Sequence, residues 1–336
     1  THLAERDGTA EQWMNVSELR SWTDRQREAR QALERALEID PGADEVHGSF
    51  LRLAELDGDP SEVADVLERW AAAGGPPGSQ TERLLRACEV MAEAGKTQRA
   101  AQLAERAISY MPISDPDFEA QARAAAEILE PLDVPESQIA ILTQAVNRPD
   151  ASAMVRTALA ELLQRVGRGR EAVAVLEAGL GPSADATVIE PLVKEAEQRD
   201  PGRAAARLAE LAERLQTHPM ARQLRLQAAE LAEAAGAHDL AEQAWSSVVE
   251  GVGVGQEGRQ ARQGLLRLAR ESGDAGQLLP LLLEAADDVS QRPVQLELLL
   301  EAAELAYQKL DDVPQAEALY DRARVMGGHD PRWRAS

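Results

Sequence analysis

Five histidines, one cysteine and one glycine-rich run are the features of this sequence that could do chemistry. The histidines are His2, His47, His218, His238 and His329. No two stand three or four residues apart and none adjoins Cys88, whereas a metal site signalled by sequence needs such spacing. Cys88 has no second cysteine to pair with and sits inside an apolar helical pattern, which reads as a small buried residue rather than a reactive thiol. The run GVGVGQEG at 251–258 superficially suggests a phosphate cradle, but a cradle follows a β-strand and is completed by a Lys or a ribose-binding acid. Here the preceding LAEQAWSSVVE at 240–250 is helical in pattern, so the glycines read as a loop that re-angles one repeat against the next and breaks the regularity at 251–258. No Gly-x-Ser-x-Gly elbow, Cys–His pairing or Lys-bearing phosphate loop occurs. Acidic pairs abound, yet Glu on the solvent faces of helices explains them without acid–base catalysis. The expectation is a non-enzyme with no catalytic residue, no metal and no cofactor.

The elements around these residues are repetitive. Turn signals such as LDGDP (56–60), AGKTQ (94–98), VGRGR (166–170) and LDDVP (310–314) recur between apolar stretches of helical period. With Gly58, Gly95, Asp133, Gly167, Asp200, Gly236, Gly273 and Asp311 as markers, the successive steps are 37, 38, 34, 33, 36, 37 and 38 residues. Gly or Asp between two such stretches stops one helix and caps the next, so the unit is helix, tight turn, helix, and its repetition predicts an all-α solenoid. Composition agrees. Hydrophobic residues are 44% of the 336 but aromatics only 3%, so the core must be Ala, Leu and Val, which suits closely packed helices and not a sandwich or barrel. No run approaches the ~18 apolar residues of a membrane span.

These residues carry a resemblance to the tetratricopeptide repeat (TPR), a pair of antiparallel helices of about 34 residues. The family's first small position falls on Ala29, Ala100, Ala172, Ala241 and Ala316, and its second on Ala36, Ala107, Ala145, Gly179, Ala285 and Ala323. The large residue between them falls on Leu33, Leu67, Leu142, Leu176, Trp245, Leu282 and Tyr320, and Pro41 and Pro112 take the terminal proline slot. Small residues there let helix backbones approach to about 8–9 Å. The resemblance covers residues 10–326, some nine helix pairs, and implies a single right-handed superhelix over 1–336. It is poorest around 43–73 and 115–148, where Val63 and Trp70 occupy nominally small places. LAERDG at 3–8 echoes LAELDG at 53–58, and DPRWRAS at 330–336 looks like the opening of a further repeat, so a segment of a longer repeat protein is expected. Trp13 and Trp22 near the uncapped end then favour a homodimer.

In such repeats the first helix of each pair lines the concave groove. The resemblance places Glu89, Glu93, Glu127, Glu130, Glu161, Glu197, Glu230 and Glu233 there, with Lys194, Gln164 and Arg165 between them. Arg259, Arg262, Arg267 and Arg270 reverse the sign on one side of a single helix. The family's clamp for a C-terminal carboxylate uses Lys and Asn at positions that here hold Glu, Leu or Thr, so that activity is not expected. A net charge of −22 repels phosphate backbones and anionic lipid and favours a basic protein segment, held further by apolar places such as Leu85 and Leu226. The leading expectation is a non-catalytic interaction scaffold with an acidic groove, binding neither nucleic acid nor membrane. Alternatives are a self-assembling spacer within a larger protein and, less favoured, a helical-repeat nucleic-acid reader, which would need a basic groove. Cytoplasm is the default compartment, and the richness in Ala, Arg, Glu and Gly suggests a GC-rich bacterial genome.

Overall fold

The computed structural model describes residues 8–23, 25–252 and 255–327. Among these there is no strand, and the helices succeed one another as pairs. The chain divides into two compact units, Thr1–Gly179 and Leu180–Ser336. In unit 1 the pairs are α1 (Ala10–Ser21) with α2 (Gln26–Ile39), α3 (Asp44–Asp57) with α4 (Pro60–Ala72), and α5 (Pro77–Glu93) with α6 (Thr97–Tyr110). They continue as α7 (Phe118–Leu129) with α8 (Pro135–Val146), joined by a 3-10 turn at Glu130–Leu132, and α9 (Ala153–Arg165) with α10 (Gly169–Glu177). Unit 2 holds α11 (Ala186–Glu197) with α12 (Pro201–Leu215), α13 (Pro219–Ala234) with α14 (His238–Val252), α15 (Gln256–Ser272) with α16 (Ala275–Asp288), and α17 (Arg292–Gln308) with α18 (Val313–Gly327). Each unit is thus a TPR-like succession of helix–turn–helix pairs, the all-α repeat that the sequence predicts.

The turns explain the period. Gly58, Gly95, Gly167, Gly236 and Gly273 sit at φ of 67–80°, and Asp133 and Asp311 at 53° and 55°, the left-handed region that ends a helix. Asp200 is the exception. Its φ is −60°, and its carboxylate instead caps α12 by accepting from the Arg203 amide at 3.2 Å. The left-handed residue the sequence does not signal is Gln216, φ 51°, which closes α12. The expected irregularity at 251–258 lies partly outside the described residues, at 253–254; α14 runs to Val252 and α15 begins at Gln256.

The core is built at the helix crossings. Ala29, Ala36, Ala100, Ala107, Ala145, Ala172, Ala241, Ala316 and Ala323 are all buried, as are Leu33, Leu67, Leu142, Leu176, Trp245 and Leu282 between them. Two small positions are displaced from expectation. Ala285 is only half-buried because its neighbour Ala286 takes the crossing, and Gly179 lies beyond the end of α10. Cys88 is fully buried, which pushes its thiol up to about 12 and leaves it inert.

Trp245 fills a place cut to its shape. A Cβ on Gly264 of α15 would lie 2.5 Å from the indole Cε2, a distance no real contact tolerates, so the glycine is required by the ring. Gly264→Ala is expected to cost about 1–3 kcal/mol through overpacking. Gly48→Ala, inside α3 with nothing within 4 Å of the new methyl, is expected to stabilise by up to about 1 kcal/mol through helix propensity. Urea unfolding of the full chain followed by tryptophan fluorescence checks both signs.

Candidate partner-binding surface

The first helices of successive pairs stand side by side within each unit, and the predicted acidic residues project from them. Glu89 and Glu93 are exposed on α5. Between α7 and α9 a cleft of about 250 Å³ is walled by Glu127, Glu130 and Glu161 together with Arg123 and Arg165. Its floor is Leu142 and Gln138 of α8, and Gln138 donates its Nε2–H to the Ala126 carbonyl at 2.8 Å. In unit 2 a second cleft, of about 340 Å³, opens between α11 and α13 with Glu197 and Glu230 at its rim and Leu231 inside. The structure therefore gathers five of the predicted carboxylates around two openings of the same kind.

Many of these charges have partners one repeat away. Glu197 accepts from Gln227 at 3.2 Å and Glu230 from Gln260 at 2.7 Å, each 30 residues on. An amide donor satisfies one lone pair and leaves the negative charge in place. Glu130 pairs with Arg165 of the next pair at 3.3 Å and Glu127 with the half-buried Arg123 of its own helix at 3.3 Å, solvent-accessible pairs of a kind that contributes only about 0–1 kcal/mol.

Glu233 is different. Arg267 of α15 grips it with two parallel bonds, 2.8 and 3.0 Å, and the Trp245 indole N–H donates to it at 3.2 Å. The Arg267 bond, more than any other influence, holds the Glu233 carboxyl below its ordinary value, and the Trp245 bond adds to it; the guanidinium is raised in return. This predicted groove residue ties three helices, α13, α14 and α15, together.

The arginine stripe also behaves otherwise than its spacing suggests. Arg262 pairs with Asp288 of α16, Arg267 reaches back to Glu233 of α13, and Arg270 reaches forward to Glu301 of α17 with bonds of 2.9 and 2.6 Å. Side chains from one helix that reach three different helices are not one basic face, and their charge is matched where they stand; Arg259 is exposed. Of the two apolar groove places, Leu85 is buried in the core and Leu226 half-buried against it.

One cluster goes unsignalled in the sequence. His47 of α3 is buried and stacked on Trp70 of α4, ring centroids 5.7 Å apart, while the Arg83 guanidinium of α5 covers the indole at 4.2 Å. Trp70 donates its indole N–H to Asp44 at 2.6 Å, and Arg83 binds the same carboxylate at 2.9 Å. This arrangement turns the misfit of Trp70 at a small position into an aromatic joint between two helix pairs. His47 is 2.8 Å from the Pro41 carbonyl through Nε2, and its Nδ1 is buried with no bond among the described residues. His218 caps α13 by accepting from the Met220 amide at 3.1 Å, His238 lies exposed near Glu271, and His2 and His329 fall outside the described residues. Among the described residues no group of His, Cys, Asp and Glu could hold a metal ion, and no helix is long and apolar enough to cross a membrane.

No protein-family model and no curated protein matches the chain. Among solved structures it resembles the Naa15/Naa10 assembly bound to HypK-THB, at 14% identity and TM-score 0.31, covering 97% of this chain and 54% of that one. The chain thus spans about half the length of that relative. It also resembles the TPR domain of P58(IPK), at 15% identity and TM-score 0.25 over 97% of this chain and 95% of that one. A third is PilW, a type IV pilus biogenesis factor, at 16% identity and TM-score 0.26 over 76% of this chain and 96% of that one.

Two titrations follow. A carboxylate depressed in the fold gives stability that is present above its unfolded value and lost as pH falls through the folded one. Glu233 is therefore expected to titrate below 4.5 by carbon-detected NMR, and Arg267→Gln to move that midpoint upward. His47 gives a slope of the same sign from a different cause: burial, more than any other influence, disfavours its charged form and lowers its pKa, so the unfolded chain takes up the proton first and stability falls as pH drops below about 6.5. His47→Phe, which keeps a ring against Trp70, is expected to flatten that part of the stability–pH curve.

Proposed function

We propose that this chain is a non-catalytic protein–protein interaction scaffold whose first-helix face receives a basic segment of another protein. The observation that carries this reading is the pair of clefts between successive first helices, one walled by Glu127, Glu130 and Glu161, the other rimmed by Glu197 and Glu230. Their carboxylates are solvent-facing, bonded at most by amides or by weak exposed ion pairs, and free to exchange those for a Lys or Arg of a partner. Glu89 and Glu93 extend the same sign along α5. Apolar contact comes from Met154, 58% exposed beside Arg123 at the first cleft, and from Leu231 in the second. Glu233 and the arginines Arg262, Arg267 and Arg270 act within the array instead, holding helices together. A net charge of −22 speeds encounter with a basic partner and makes capture salt-dependent.

Self-assembly is the second reading, and Trp22, 86% exposed at the end of α1, is the observation that favours it. Light scattering of the full chain and of Trp22→Ser separates a dimer from a monomeric receptor.

The test of the first reading is capture from a lysate on the immobilised full chain, washed at about 50 and about 300 mM salt. A protein held only at low salt, and released when Glu127, Glu130 and Glu161 all become Gln, is the expected result. Capture that ignores both salt and those substitutions contradicts it.

A further inference from the structure

The opposite side of unit 2 carries a larger opening. Between the second helices α14 and α16, with the C-terminal half of α15 beneath, lies a cleft of about 550 Å³. Its floor is apolar: Leu265, Leu268 and Ala269 of α15 and Leu281 of α16. Asp239, Glu242, Glu271 and Glu284, all exposed, ring it, and no Lys or Arg is among the residues that line it. In this it differs from the first-helix cleft of unit 1, where Arg123 and Arg165 stand among the carboxylates. His238, 3.9 Å from Glu271, is the single basic side chain on the rim. Pro280, also on the wall, lies inside α16 and brings no N–H for the Gly276 carbonyl one turn earlier, which leaves an acceptor on that side of the helix.

An apolar floor inside a ring of one sign selects the chemistry of its occupant. Uncharged apolar segments would strip water from the carboxylates without compensation, and an acidic one would be repelled. A segment with apolar residues on one side and Lys or Arg flanking them satisfies both, because long basic side chains lay their stems on apolar surface while the charged ends reach the rim. We propose that this second-helix cleft is a docking site for a cationic amphipathic segment of a partner protein, its apolar face on the half-buried Leu265 and Leu281 and its Lys or Arg side chains against Glu242 and Glu284. The site is separate from the first-helix clefts and stands without them, so a scaffold bearing both engages two segments at distinct places.

Fluorescence anisotropy of the full chain with a synthetic Leu/Lys amphipathic peptide tests this, with a Ser/Lys peptide of equal charge as the comparison probe. Expected are saturable binding of the Leu/Lys peptide and a loss of about tenfold in affinity in Glu242→Lys/Glu284→Lys. Glu34→Lys/Glu105→Lys, which changes net charge equally at exposed sites of unit 1, is expected to stay within about threefold of the parent. So is Glu127→Gln/Glu130→Gln/Glu161→Gln, which separates this cleft from the first-helix face. No saturable binding, equal weakening in the two Lys double variants, or equal affinity for the Ser/Lys peptide overturns the proposal. Circular dichroism of each variant establishes that helix content is kept.

Discussion

A helix pair of this kind cannot bury its apolar face alone, so everything else in the molecule depends on how closely one pair approaches the next. With aromatics at 3% of the chain, the approach is set by alanine. Ala29, Ala36, Ala100, Ala107, Ala145, Ala241 and Ala323 are wholly buried at crossings where a longer side chain would push the backbones apart. Where a large residue does enter, something opposite gives way. Trp245 has Gly264 beneath its ring, and Trp70 is accommodated by stacking on His47 under the cover of Arg83. Both indoles also find an acceptor on the preceding helix, Glu233 and Asp44, as a buried or half-buried indole N–H requires.

The same constraint divides the surface charge. Side chains that emerge near the seam between two pairs fall within reach of the next repeat and are drawn into bonds 30 to 39 residues distant: Arg83 to Asp44, Arg99 to Glu68, Arg267 to Glu233, Arg270 to Glu301. These pairs join successive repeats. What is left is mostly acidic, because carboxylates outnumber basic side chains by 58 to 36. The clefts share that surplus, which is the basis for the basic segments proposed for the first-helix side and the second-helix side.

The sequence makes the repeat legible through its turns, because a left-handed residue is a local requirement that Gly, and here Asp133 and Asp311, announce by type. Burial at the crossings is legible too, through the spacing of alanines. The ion-pair ladder is not. Arg262, Arg267 and Arg270 share a helical spacing and look like one basic face, but whether each turns to the preceding or the following helix depends on inter-pair packing that no local pattern contains. The bonds of Glu233 are illegible for the same reason, since its partners Trp245 and Arg267 lie 12 and 34 residues away. Trp70 looks like a defect in its repeat until His47 and Arg83 are placed around it. In each case the missing information is a contact between helices, whereas what the sequence reveals is a property of one turn or one helix face.

Two kinds of glutamate differ in their bonds: Glu233 is held by Arg267 and Trp245, whereas the cleft carboxylates proposed to meet a partner are bonded at most by amides or exposed ion pairs. The measurement that tests this most directly compares Glu233→Gln with Glu161→Gln in the full chain, each by thermal unfolding and by calorimetric titration with an oligolysine peptide. A crossed result is predicted, with Glu233→Gln less stable but binding the peptide as the parent does, and Glu161→Gln equally stable but binding it more weakly. If both variants lose binding together, or if stability falls only in Glu161→Gln, the division between structural and partner-facing charge is wrong.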